Sequence, residues 1–374
     1  LLIAAGFVIA AVIAAAVRGD GWWLPLHLFL VGGVLSAISA TTQMLAITWS
    51  SSPPTRPWVA TVVRWTLAAG AVGVVVGRDT GRRWLIEFGG GFVAIALVGM
   101  VPVLWAVHRG AVTDRYRPAI EAYVAAHLFG AVGVIVGVVM ATGRSGSRHL
   151  ELRGTHLIVN LFGCVGLVIA ATLPYFTATQ VRSKMSPRAT RPVLRIVAAV
   201  FAAAVLFAAL GRMIDSAPLT VVGLAVLAAV LVVIVALLPI FDRKRWSWAG
   251  PRLAQLLCGI GWWVGTTIAL AVAIGRGTDD RTALRTLAIG GFAQILIASL
   301  AYLGPVLRGG GHKQLTAGFA ITRSWVSLIA GNVAALAVAS HAGWLLRAAL
   351  IAWGVDLAGR AVWLLSSRSA ATTE

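Results

Sequence analysis

His156-Leu-Ile-Val-Asn160-Leu-Phe-Gly163 is the stretch on which the reading of this chain turns, because a variant of it stands 129 residues earlier as His27-Leu-Phe-Leu-Val-Gly-Gly33. The later copy runs through Thr172-Leu-Pro174 to the basic segment Arg182 to Arg191. The earlier one runs through Thr41-Thr42 to Ser52-Pro-Pro54. A third copy, Gly290-Gly-Phe-Ala-Gln294 followed by Pro305 and Arg308, lacks the histidine; its counterpart of His156 falls at Leu284 to Leu287. Self-similarity at a fixed period predicts a repeated architecture before any local motif is weighed.

The 374 residues are 59% hydrophobic and only 11% charged, less than half the charge of a soluble domain. Uncharged runs such as Phe88–Val107, Val221–Ile240 and Leu287–Leu307 reach the roughly 20 residues that cross a bilayer. The chain therefore reads as an all-α polytopic membrane protein, forming one membrane domain over 1–374. About twelve transmembrane helices are expected, near 1–17, 22–48, 58–77, 84–107, 119–142, 155–179, 193–211, 217–240, 252–275, 284–307, 317–339 and 343–366. Twelve divides into three pseudo-threefold four-helix repeats, 1–118, 119–249 and 250–374, with the quoted stretch on the second helix of each. Because the first residue is Leu, the amino terminus is expected to be incomplete.

Other positions keep the period. The first helix of each repeat closes in Arg18-Gly-Asp20, Gly143-Arg-Ser-Gly146 or Gly275-Arg-Gly277, and the third carries Arg64, Arg195 or Arg323. Arginine inside a bilayer is costly, so these three are expected to reach the interface or to pair within the bundle. The net charge of +19 lies mostly between apolar runs, where it meets lipid head groups and not nucleic acid. Loops after even-numbered helices hold Arg56, Arg109, Arg115, Arg117, Arg182, Lys184, Arg188, Arg191, Arg243, Lys244, Arg245, Arg252, Arg308 and Lys313; the opposite loops hold Asp20, Asp79, Glu151, Asp215, Asp279 and Asp280. The positive-inside rule then places the even loops and both ends in the cytoplasm.

Histidine is the residue here best suited to hold heme iron or copper. His27 and His156 occupy equivalent repeat positions, and His127 lies deep in the fifth helix, in Ala-Ala-His-Leu-Phe. These three are the candidate cofactor ligands; the alternative is that each bonds a neighbouring helix and binds nothing. His149, in the outer loop, could join Glu151 and His156 in a metal site, with copper the expected ion. His108, His312 and His341 read as surface residues. Cys164 and Cys258 sit in apolar runs and read as small buried hydrophobes. Asp356 and Arg360, four apart, are expected to pair, Glu87 to lie at the interface near Arg82 and Arg83, and Gly89-Gly-Gly91 to permit close packing. Trp22, Trp23, Trp262, Trp263, Trp344 and Trp363 are expected to form an aromatic belt. No phosphate loop, Cys-x-x-Cys pair, zinc-helix motif or hydrolase triad is present in the sequence.

With histidines early in the second and sixth of twelve helices, the chain resembles the catalytic subunit of heme-copper oxidases. It more closely resembles the NnrS family of heme- and copper-containing membrane proteins. Closer still is the membrane domain that precedes a copper nitrite reductase or multicopper oxidase module in some actinobacterial proteins. Gly154-Thr-His156-Leu-Ile-Val-Asn160-Leu-Phe-Gly163-Cys-Val-Gly166, Thr172-Leu-Pro174 and the block Gly290 to Leu307 carry the resemblance. It implies heme and/or copper and a partner copper redox domain or respiratory protein; an oligomer is compatible with it. The actinobacterial resemblance implies a bacterial plasma membrane, and the heme-copper oxidase resemblance implies histidines on the tenth and seventh helices; neither helix has one, which argues against an oxygen reductase. A following copper module would lie outside the cytoplasm, opposite to the charge-based placement of the carboxyl end, where Ser366 to Glu374 form a polar tail. The expected function is a membrane-embedded redox protein tied to nitrogen-oxide or copper-oxidase chemistry. The alternatives are a cofactor-free anchor or assembly subunit, and a transporter or channel.

Overall fold

The computed structural model describes residues 2–17, 21–240, 246–309 and 311–366. Arg18, Asp20, Arg243, Lys244, Arg245 and the tail beyond 366, all used above, lie outside the described residues. Within them the chain is helical throughout, with no strand. The helices are α1 (Leu2–Val17), α2 (Trp23–Ser50), α3 (Pro57–Asp79), α4 (Arg83–Arg109), α5 (Asp114–Ala141), α6 (Gly146–Gln180), α7 (Arg191–Met213) and α8 (Ala217–Ala236). There follow a single turn at Trp246–Ala249, then α9 (Pro251–Gly275), α10 (Arg281–Arg308), α11 (Gly311–Ile321), α12 (Trp325–Ala339) and α13 (Gly343–Ser366).

Nine of these are long and apolar enough to cross a membrane, and α11 with α12, bent by 40°, would make a tenth. Such a fold belongs to a multi-pass membrane protein. The remaining two expected spans are less clear by length and composition: α1 has 16 residues, and α13 carries Arg347, Asp356 and Arg360. Large apolar side chains stay exposed on the helix faces, among them Trp65, Phe88, Ile95, Phe207 and Ile329. Lipid tails solvate such a surface; water would not. The expected eleventh helix is therefore two, and the outer loop expected to hold His149 is helix, because α6 starts at Gly146.

Contacts divide the chain into two compact units. The first comprises Leu1–Ala14, Asp20–Tyr175 and Met185–Leu238; the second comprises Ala15–Gly19, Phe176–Lys184 and Pro239–Glu374. The division after Leu238 falls near the expected boundary between the second and third repeats.

Three helices share a feature that their sequences do not announce. Each widens into a π-helix, at Leu28–Val34 in α2, Val159–Gly166 in α6 and Leu287–Ala293 in α10. Their starts are 131 and 128 residues apart. Each π segment carries two glycines, and an aromatic ring from the preceding helix seats against it. Phe7 packs on Gly32, Phe129 on Gly163 and Trp262 on Gly290. A wide turn with no side chain on one face lets the neighbouring helix approach closely.

Turns repeat as well. The chain leaves α2, α6 and α10 through left-handed backbone at Ser51 (φ 52°), Arg182 (φ 50°) and Gly309 (φ 73°). It leaves α3, α7 and α12 through Gly81 (φ 67°), Asp215 (φ 55°) and His341 (φ 58°). In the latter set the next amide bonds back five residues: Arg82 to Gly77 at 2.8 Å, Ser216 to Gly211 at 2.7 Å and Ala342 to Ala337 at 2.9 Å. These are helix caps that glycine fills at least cost. After each cap a second helix packs back tightly. A Cβ on Gly89 of α4 would lie 2.5 Å from the Val74 amide of α3, and one on Gly223 of α8 would lie 2.5 Å from the Ala208 amide of α7. The close packing expected at Gly89-Gly-Gly91 holds for Gly89 and Gly90; Gly91 has nothing within 4 Å. Since Gly81 and Asp215 sit in one backbone geometry with different side chains, Asp215→Gly should raise stability and Gly81→Ala lower it, each by about 1 kcal/mol. Thermal unfolding in detergent measures both, and shifts of the same sign would contradict the equivalence.

Candidate functional site

The histidines singled out by repeat position and depth, His27, His127 and His156, all lie in the first unit. Each sits on a helix with its Nδ1 within hydrogen-bond distance of a backbone carbonyl. In α2, His27 Nδ1 meets the Trp23 carbonyl at 2.8 Å, and its ring stacks on the Trp23 indole with centroids 4.1 Å apart. Arg78 of α3 sits over the same indole at 5.9 Å. In α5, His127 Nδ1 meets the Tyr123 carbonyl at 2.7 Å; the residue is 0% exposed. Tyr123 is itself held by a 2.8 Å hydrogen bond between its hydroxyl and that of Thr172 on α6.

His156 crosses between helices. Its Nδ1 lies 2.8 Å from the Gly133 carbonyl of α5, and its ring covers Gly137, where a Cβ would stand 2.7 Å from Cε1. Asn160, one turn on and inside the π segment, donates to the His156 carbonyl at 2.8 Å and approaches Nδ1 at 3.2 Å. Gly133 leaves room for that amide, since a Cβ there would collide with Asn160. A carbonyl at Nδ1 fixes the proton on that nitrogen and leaves Nε2 as a bare lone pair. Among the described residues no hydrogen-bond partner meets Nε2 of any of the three, and at His127 this nitrogen is fully buried. A buried acceptor without a partner is expensive. His27 and His156 lie within electrostatic range of each other.

The other candidates are placed differently. His149 is exposed at the start of α6 with its Nδ1 3.1 Å from the Ser145 hydroxyl. No three His, Cys, Asp or Glu residues gather in a metal-binding group among the described residues. Asp356 pairs with Arg360 as expected and also accepts from Ser324 at 2.7 Å. Glu87 pairs with Arg144 across to the end of α5, at 2.7 Å, and not with Arg82 or Arg83. His108 shares Glu121 with Arg195 in a three-residue ionic cluster (3.1 and 2.6 Å). The three periodic arginines diverge: Arg64 bonds the Ala60 carbonyl of its own helix, Arg195 pairs with Glu121, and Arg323 bonds the Trp248 carbonyl.

Trp262 and Trp263 correct the aromatic-belt expectation. Both lie midway along α9; Trp263 is 0% exposed against Phe292, and Trp262 donates to Asn332 at 2.9 Å. Sequence reasoning also missed the amides that Trp262 joins. Gln294, 0% exposed, and Asn332 bond each other at 3.3 Å, so the third π segment is lined by neutral hydrogen bonds where the second has His156 and Asn160. One apolar cavity in the first unit is lined by Ala119, Ala171, Pro174, Leu194 and Phe201 among others, with no histidine in its lining.

The fit of His156 on Gly137 gives a direct check. Gly137→Val should displace the ring and cost about 1–3 kcal/mol of stability. Gly91→Val, facing open space, should be nearly silent. Equal losses for the two in thermal unfolding would show that the ring is not packed there. Comparison with models of protein families and with curated proteins finds no match to this chain.

Proposed function

We propose that this chain is a membrane-embedded redox subunit in which His27, His127 and His156 are imidazole ligands to copper or heme iron. The observation that carries the reading is a shared geometry: Nδ1 against a backbone carbonyl and, among the described residues, no hydrogen bond at Nε2. Metal-bound histidine almost always anchors its second nitrogen this way. A metal ion suits the His27–His156 pair, because imidazole is a good copper donor. His127 supplies the most deeply buried lone pair. Copper or heme held here would supply one-electron transfer. The protein's own part is to fix the tautomers and keep water away. The link to nitrogen-oxide or copper-oxidase chemistry, and to a copper redox partner, rests on the resemblance carried by the Gly154 to Gly166 and Gly290 to Leu307 stretches.

The scaffold that fits this reading is three four-helix repeats, twelve crossings in all, with even-numbered loops in the cytoplasm of a bacterial cell. The recurring π segments and left-handed caps support it. The lack of a three-residue metal group among the described residues favours the alternative, a cofactor-free anchor.

Purified protein separates the two. The redox reading expects copper by elemental analysis or a Soret band that shifts on reduction. His27→Ala and His156→Ala should each remove most of the bound copper. Protein with neither copper nor a Soret band after extraction from copper-replete, heme-sufficient cells would sink the proposal in favour of the anchor.

A further inference from the structure

The second unit holds a group of cations that the redox reading does not use. Arg252, in the first turn of α9, is 2% exposed, yet both Nη atoms lack a hydrogen-bond partner. Its guanidinium lies 4.7 Å from the Phe319 ring and 5.7 Å from the Tyr302 ring, and its Nε reaches only the Ala249 carbonyl at 3.3 Å. Two more arginines, Arg323 and Arg182, lie within electrostatic range of it, both over the Trp248 ring that packs against Phe319. Arg323 is half-buried, donates to the Trp248 carbonyl and leaves its Nε without a partner. Arg182 is exposed and covers the face of the same Trp248 at 3.2 Å. Among the described residues, Arg252 and Arg323 form no ion pair with a carboxylate.

Three guanidiniums converge around Trp248, Tyr302 and Phe319, graded from an exposed rim at Arg182 to a buried floor at Arg252. Like charges so placed repel, and a buried cation without an anion is unfavourable. The first turn of α9 adds the positive end of a 25-residue helix. A small oxyanion with several acceptor oxygens answers all of these at once. The fork of an arginine matches phosphate geometry, and basic pockets between membrane helices are suited to phosphate head groups.

We infer that Arg182, Arg252 and Arg323 form a binding site for a phosphate group, carried by an anionic lipid or by a free phosphate ion. The site owes nothing to the histidines, so it stands or falls apart from the redox reading.

The test is thermal unfolding and native mass spectrometry of the full chain in a neutral detergent. The protein is titrated with phosphatidylglycerol, cardiolipin, phosphatidylcholine or inorganic phosphate. Saturable stabilisation by the anionic lipids alone identifies a head-group site; stabilisation by inorganic phosphate identifies a site for the free ion. Either supports the proposal. Arg252→Gln should weaken binding about tenfold or more, the loss expected for a hydrogen bond to a charged group, while Arg64→Gln should leave it unchanged. If Arg252→Gln does not fold, Arg323→Gln, at the half-buried edge, should show the same loss. An equal response to phosphatidylcholine, no response to any of the four, or binding unchanged in the arginine variant would overturn it.

Discussion

In hydrocarbon a peptide group has no water to bond, so every N–H and C=O must be satisfied within the chain. That constraint makes the described residues helical and confines departures from the α ladder to places where something else satisfies or shields the backbone. Here the departures are few and they recur. The π segments of α2, α6 and α10 sit against an aromatic ring of the preceding helix, and the left-handed caps close the carbonyls at helix ends. Several of the buried or half-buried polar side chains lie beside these departures. His27 immediately precedes the first π segment, His156 stands three residues before the second, and Gln294 follows the third.

The π segments of α2 and α6 have different polar neighbours from that of α10. In α2 and α6 the helix carries an imidazole whose one nitrogen is bound to a carbonyl and whose other is left as an acceptor. Around α10 the polar groups are amides, and Gln294, Asn332 and Trp262 complete one another's hydrogen bonds. A closed amide network stabilises packing and offers nothing to a ligand. An imidazole with a bare lone pair does the reverse. The difference between α10 and the two earlier helices thus lies in how far the polar groups near each π segment satisfy one another.

Much of this was legible in the residues. Crossing helices emerge from apolarity summed over some twenty positions, and the period emerged from His27, His156 and the glycines of the third copy. Local pairs four apart, such as Asp356 and Arg360, were also readable because helix geometry brings them together. Partners across helices were not. Arg64, Arg195 and Arg323 share a repeat position, yet what each meets depends on which side chain the neighbouring helix presents. The π turns were illegible because seven residues of apolar and glycine pattern suit an α-helix as well as a π-helix. Trp262 and Trp263 read as interfacial from their residue type, when their place at the middle of α9 buries them. Arg252 looked like one more loop charge; its two unpartnered nitrogens become visible only once Phe319 and Tyr302 are seen to enclose it.

A π turn holds more residues than the α turn it replaces, so it works as a phase shift along the helix. Each residue of an α-helix advances the side-chain direction by about 100°. The two halves of α6, with His156 on one side of the π segment and Thr172 and Pro174 on the other, are therefore out of register by an angle that the wide turn sets. Without it, a helix that presents His156 to Gly133 would carry Thr172 away from the Tyr123 hydroxyl. The wide turn lets one helix meet α5 at both His156 and Thr172.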